Sequence, residues 1–232
     1  MTGATEPTRS LEIERKYDVD AGTPLPDWLA LPGIARVGDA EPRALDARYL
    51  DTADGALARA ATALRRRTGG PDAGWHIKQS TPEGKHETHW PLGDTGDAAD
   101  SGDQPVVPAE IVAALAGIAA PPFLALARIR NARTAYALRD ADGGLVAEFV
   151  DDRVEATDVR RGVTASWREW ELELGSAAPT DPAARAALFA AADELVAQAG
   201  GRVAASDSKL ARILGGTAPT VPTAPSPGPG KH

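Results

Sequence analysis

The chain has 232 residues, 43% hydrophobic and 5% aromatic, with a formal net charge of −8 and no cysteine. That length allows one large domain or two small ones around a real core. The acidic balance argues against a general nucleic-acid binder, and the missing cysteine excludes disulfides and thiolate metal sites, leaving oxygen or imidazole ligands for any metal. The N-terminus lacks the basic and apolar regions of a signal peptide, and no apolar run is long enough to span a bilayer. A soluble cytoplasmic protein with no membrane partner is therefore expected.

In chain order, residues 1–10 read as a disordered leader. The first strand follows at Leu11–Val19. Strand alternation puts Glu12, Glu14 and Lys16 on one face, with Leu11, Ile13, Arg15 and Tyr17 on the other. Asp27–Leu31 reads as a short helix or turn, and Arg43–Asp51 as a strand. Thr62–Thr68 and Gly74–Ser80 form a predicted hairpin around residues 69–72. After a turn at 81–84 comes a strand at His86–Leu92. Residues 93–104 are an acidic, small-residue loop, here read as a solvated linker, and Pro108–Ala119 is a helix with proline at its start. The 93–122 segment thus separates two runs of strands. The second run holds Ala125–Leu138, Leu145–Val154 and a strand within Gly162–Leu174. A helix at Asp181–Ala199 follows, with an aspartate N-cap and proline at N1. A short helix at Ser208–Leu214 closes the fold, and residues 215–232 read as a disordered Pro/Gly-rich tail. Many short strands with turn signals point to an antiparallel barrel or sandwich rather than a βαβ sheet.

Several strands repeat the same alternation. Arg65 and Arg67 share a face, with Arg66 opposite. His76 pairs with Lys78, Lys85 with Glu87 and His89, and Glu171 with Glu173. Half-solvated antiparallel strands also alternate apolar and polar residues, so any one strand alone has an ordinary reading. Together, these faces repeat Arg-x-Arg and Glu-x-Glu, segregated by strand. If the apolar faces meet flanking helices, the charged faces line a tunnel. Confined charges need partners. A polyphosphate would answer the basic strands, and a divalent metal the glutamates.

The ordered set resembles the CYTH superfamily, the triphosphate tunnel metalloenzymes. The matching segments are Glu12-x-Glu14-x-Lys16, Tyr49 to Thr52, Leu64 to Arg67, Ile77-Lys78, Lys85-x-Glu87, Arg128 to Tyr136, Glu171-x-Glu173 and Ser208 to Leu210. The resemblance covers about residues 10–214. It implies an α+β, mainly antiparallel fold: one tunnel domain over 11–214, an eight-stranded closed β-barrel with flanking helices.

It also implies a metal-dependent triphosphatase using Mg2+ or Mn2+. Glu12, Glu14, Glu171 and Glu173 would hold metal. Lys16, Arg65, Arg67, Lys78, Lys85, Arg133 and Lys209 would bind phosphate, with Arg128 or Arg130 compensating for Asn131, where the family often has lysine. Glu12, Glu14, Glu87 and Lys78 would form the catalytic group. Either Asp151 or Asp152 would match an acidic position. Tyr49 to Thr52 read as mainly structural, and His76, His86 and His89 as wall or surface residues. Inorganic triphosphate is the expected substrate, since no appended recognition domain is visible. Thiamine triphosphate, ATP cyclisation and a non-catalytic polyphosphate- or nucleotide-binding module are the alternatives.

Overall fold

The protein is described by a computed structural model covering residues 6–92, 105–206 and 208–215. The expected 93–104 loop and almost all of the 215–232 tail lie outside the described residues. Among the described residues, eleven strands form one sheet. They are β1 (Thr8–Glu12), β2 (Glu14–Val19), β3 (Arg36–Val37), β4 (Glu41–Asp51), β5 (Thr62–Thr68), β6 (Gly74–Thr81), β7 (Gly84–Pro91), β8 (Leu124–Arg139), β9 (Leu145–Asp158), β10 (Val163–Leu174) and β11 (Arg202–Val203). The helices are α1 (Ala56–Arg59), α2 (Ala109–Leu115), α3 (Pro182–Ala199) and α4 (Lys209–Ile213). β1 starts at Thr8, inside the segment read as leader.

The sheet runs β1-β7-β6-β5-β4-β8-β9-β10-β2-β11, all neighbours antiparallel, with β3 added against β8. The ends of this order explain the shape. β1 pairs with β7, with Glu12 opposite Lys85. β2 pairs with β10, with Glu14 opposite Glu173. Only Ile13 separates them, so one stretch of chain serves both edges of the curled sheet. Counting that stretch once, and setting aside two-residue β3 and β11, gives the eight strands expected. Closure is less regular than the barrel foreseen. The ring is joined by a seam at Ile13 rather than by a continuous ladder.

The apolar faces point outward and are covered by helices. Leu188, Phe189, Ala192 and Val196 of α3 pack on Tyr17, Val19, Phe149, Trp170 and Leu172. Full burial of each larger side chain contributes about 1.5–3 kcal/mol. Asp181 caps α3, accepting from Ala184 N at 2.9 Å, and Gly200 ends it in the left-handed region. Ile111 and Leu115 of α2 cover Leu50, Leu64, Trp75 and Trp90. Asp51, 2% exposed, accepts from the backbone nitrogens of Leu57 (2.9 Å) and Ala58 (3.1 Å) and so anchors α1. The third core cluster is on the inside. Ala47, Tyr49, Ile129, Val154 and Ala156 of the wall strands meet Leu210, Ile213 and Leu214 at the C-terminal helix. Thus α4 packs against the inner face and brings Lys209 with it.

Candidate functional site

The inward side chains follow from parity. In β2 they are Glu14 and Lys16, in β4 Arg43, Leu45, Ala47 and Tyr49, and in β5 Arg65 and Arg67. In β8 they are Ile129, Asn131 and Arg133, and in β10 Glu171 and Glu173. With Glu12, Lys78, Lys85, Asp72, Glu148 and Lys209 they line a cavity of about 350 Å³. Eight basic and six acidic side chains face one small volume. Except for Arg128 and Arg130, every residue expected to bind metal or phosphate lines this cavity, while Glu87 of the expected catalytic group does not.

The basic wall is crowded. Burial and the adjacent Arg65 push Arg67 down to about 9. Nε of Arg65 and Nε of Arg67 are buried without hydrogen-bond partners. Unmatched buried donors on crowded cations are costly, and an anion between them would satisfy both. Tyr49, read as structural, also turns its hydroxyl inward, accepting from Arg65 Nη1 at 3.3 Å.

The acidic wall is the complement. Burial pushes Glu12 up to about 7 against the pull of Lys78, whose Nζ lies 2.5 Å away. Burial and the carboxylates of Glu14, Glu171 and Glu148 also raise Glu173, opposed by Lys78. Glu14 is different. Burial alone would raise it, yet Lys16 (3.1 Å) and Lys85 (2.6 Å) bring it down to about 2. Glu171 is likewise held well below the usual carboxylate range, despite burial, by Lys16, Lys209 and Arg133. Oxygen-only donors, two of them raised by their carboxylate neighbours and burial, fit a hard divalent cation.

A tighter carboxylate group lies beside this wall. Asp152, Glu169 and Glu171 offer oxygens within 4.8 Å of one another. Lys209 Nζ already meets all three, at 2.8, 2.6 and 2.6 Å. Arg133 closes the arrangement with two bonds to Asp152 (2.8 and 2.7 Å) and one to Glu171 (2.8 Å). Of the four glutamates expected to hold metal, only Glu171 belongs to this trio.

Some placements differ from the sequence reading. Arg128 is on the outer face, bidentate to Asp46 at 3.0 and 2.5 Å, and Arg130 is exposed outside. Strand parity is the reason: both are out of step with Arg133 on β8. Neither supplies what Asn131 lacks, and Asn131 itself lines the cavity with a buried, unpartnered Oδ1. Glu87 sits behind the lining, 6% exposed, with Lys78 Nζ at 2.7 Å. Between the two aspartates, Asp152 joins the site. Asp151 takes Arg168 at 2.7 Å on the other face. Sequence reasoning missed the Arg43–Glu148 pair, bidentate at 3.0 and 3.1 Å, together with Asp72 and Glu169. Glu169 was legible as the third member of the Glu171/Glu173 alternation, and Arg43 by its parity with Tyr49.

A curled antiparallel sheet whose inner face carries basic and acidic side chains around one cavity defines a tunnel fold. The CYTH domain family model matches residues 10–204, and the chain belongs to that family. Two Mycobacterium tuberculosis relatives, uncharacterized proteins MT2285 and Rv2226, are each 38% identical over 97% of this chain and 44% of their own length. The chain therefore spans less than half of these relatives. Among solved structures, a Bacillus halodurans protein with a provisional adenylate cyclase assignment matches at TM-score 0.59 and 20% identity, over 88% of this chain and 98% of that one. A Hippeastrum protein, described as an adenylyl cyclase candidate with a dominant triphosphatase activity, matches at TM-score 0.48 and 19% identity, over 88% of this chain and 96% of that one. At 20% identity the likeness to the Bacillus halodurans protein is one of fold. Among the described residues, no helix is long and apolar enough to cross a membrane.

Proposed function

We propose that this chain is a divalent-metal-dependent hydrolase of a triphosphate held inside the tunnel, with inorganic triphosphate as the first substrate to test. The observation that carries the reading is the pair of opposed charged walls around one small cavity. Crowded arginines with unpartnered buried N–H groups face carboxylates raised by burial and by one another. Membership of the CYTH family supports the same chemistry.

In this reading Arg65 and Arg67 donate to phosphate oxygens, joined by Lys16, Lys85, Arg133 and Lys209. Lys78, held between Glu12 and Glu87, sets its ammonium against the same chain of phosphates. Glu12, Glu14, Glu171 and Glu173 would hold Mg2+ or Mn2+, Glu14 and Glu171 already ionised and Glu12 losing its proton on binding. Such a cation, when bound, offsets charge developing on the phosphate oxygens. Hydrolysis adds water to the terminal phosphorus and breaks its bond to the bridging oxygen, releasing phosphate and pyrophosphate.

The test is to incubate the protein with inorganic triphosphate, thiamine triphosphate and ATP, each with Mg2+ or Mn2+. Phosphate, pyrophosphate and cyclic AMP would be measured separately. Metal-dependent phosphate release supports the hydrolase. Cyclic AMP with pyrophosphate from ATP would replace it with a cyclase, and binding without turnover with a sensing module.

A further inference from the structure

His76 is fully buried, at 0% exposure, behind the basic wall. Its two ring nitrogens reach in different directions. Nε2 is 3.0 Å from the Asp72 carbonyl, and Nδ1 meets Glu87 Oε1. With Nε2 donating to the carbonyl, the contact at Nδ1 requires a proton shared between ring and carboxylate. The ring also stacks on His89, centroids 4.6 Å apart at 25°. His89 Nε2 in turn lies 3.4 Å from the Ala73 carbonyl. Two histidines thus pin consecutive carbonyls of the β5–β6 turn.

That turn is part of the site. Gly69 and Gly70 both have φ of +76°, and a Cβ at Gly69 would lie 1.9 Å from the Ala44 carbonyl, so the chain must turn here without a side chain. The turn delivers Asp72 to the cavity, where its carboxylate meets Arg67. On the other side of the imidazole, Glu87 Oε2 is 2.7 Å from Lys78 Nζ and 4.0 Å from Arg65 Nη2. Arg67, Lys78 and Arg65 are therefore all reached from His76 through one intervening residue, Asp72 or Glu87. A lysine ammonium on a four-carbon stem has no preferred direction of its own. A carboxylate free to rotate would not supply one.

We infer that His76 is a positioning residue: it locks Glu87 and the 69–73 turn so that Lys78, Arg65 and Arg67 converge on one phosphate chain. With both nitrogens committed, it is neither a metal ligand nor a general base. The inference rests on the proposed phosphate role of those three cations.

The experiment is a double-mutant cycle, read by calorimetric titration of inorganic triphosphate with Mg2+ and by kcat and KM. His76→Phe keeps a flat ring against His89 and deletes both nitrogens. It is expected to weaken binding about tenfold, the size of a lost charged hydrogen bond, with KM rising more than kcat falls. In a Glu87→Gln background the same change should add less than about twofold. His76→Asn, whose amide overlays Nδ1, should recover most of the affinity, and His76→Gln, which overlays Nε2, much less. Should the phenylalanine variant fail to fold, the Asn and Gln variants carry the comparison. Unchanged affinity in His76→Phe, or an equal loss with and without Glu87, overturns the assignment. So does equal behaviour of Asn and Gln. A protein that binds triphosphate without hydrolysing it sinks only the hydrolase reading, whereas one that binds none sinks both.

Discussion

Replacing Lys209 by methionine removes one ammonium from among Asp152, Glu169 and Glu171 while keeping most of the side chain's volume. Asp152 and Glu171, like Lys209, are at most about a tenth exposed. Removing one partner of a buried ion pair costs about 3–5 kcal/mol, mainly because the remaining charge stays buried and unpaired. Here Arg133 still holds Asp152 and Glu171, and Lys16 still contacts Glu171. The loss should therefore be near the lower limit, about 3 kcal/mol. For a fold of this size each kcal/mol shifts the melting temperature by about 2–4 °C, so the variant should melt about 6–12 °C lower near neutral pH. The pH dependence has a definite sign. In the intact protein Lys209 and Arg133 hold Asp152, and Lys16, Lys209 and Arg133 hold Glu171, below the usual carboxylate range despite burial, so losing the ammonium leaves both less depressed. The ammonium's contribution is therefore fully present above the usual carboxylate range and is lost as pH falls through and below it, so the variant's deficit grows as pH rises through that range. Thermal melts at about pH 7 and about pH 3 would show the deficit shrinking at the lower pH. Adding Asp152→Asn should recover part of it at the higher pH. A Lys209→Met protein melting within about 2 °C of the wild type at both pH values would refute the buried-ammonium reasoning.

Glu14→Ala and Arg67→Ala should each abolish triphosphate turnover while leaving the far-UV spectrum of the fold intact, and unchanged activity in both would sink the site assignment. Arg128→Ala and Arg130→Ala point away from the cavity, so kcat/KM for inorganic triphosphate should stay within about twofold of wild type. A hundredfold loss in either would put the phosphate site on the wrong face. Glu12, raised to about 7, must lose its proton to hold a cation. Apparent Mn2+ affinity should therefore fall by up to tenfold per unit as pH drops below about 7. Titration calorimetry in buffers of different ionisation heat would detect the released proton, and pH-independent affinity would exclude Glu12 as a ligand. Asp51→Ala leaves the first turn of α1 without its acceptor and should cost about 1–2 kcal/mol in urea unfolding with no change in KM.

Much of the fold was legible because alternation and turn chemistry agree along this chain. Arg65/Arg67 and Glu171/Glu173 announced their face, and Asp181 with Pro182 announced α3. The same alternation, applied strictly, separates Arg128 and Arg130 from Arg133; grouping the three by charge overrode it. Lys209 as the cation of the Asp152 trio was not legible, because the trio comes from β9 and β10 and no local spacing records that pairing. The tie from His76 to Glu87 was hidden for the same reason. It runs across the β6–β7 hairpin through burial, and burial of a lone histidine leaves no periodic trace. Arg43 and Glu148 escaped because neither belongs to a repeated charge pattern.

The seam at Ile13 has a consequence for how the chain is made. Lys16 finds its contact with Glu171 across 155 residues. The β2 half of the first strand made must wait for nearly the last, because its ladder partner is Arg168–Glu173. During synthesis β1 can settle on β7 early, while β2 hangs without a neighbour until β10 leaves the ribosome. The two carboxylates astride the seam, Glu12 and Glu14, thus belong to an early-folding and a late-folding ladder. A cation shared between them would act as a clasp, fastening the final closure of the ring.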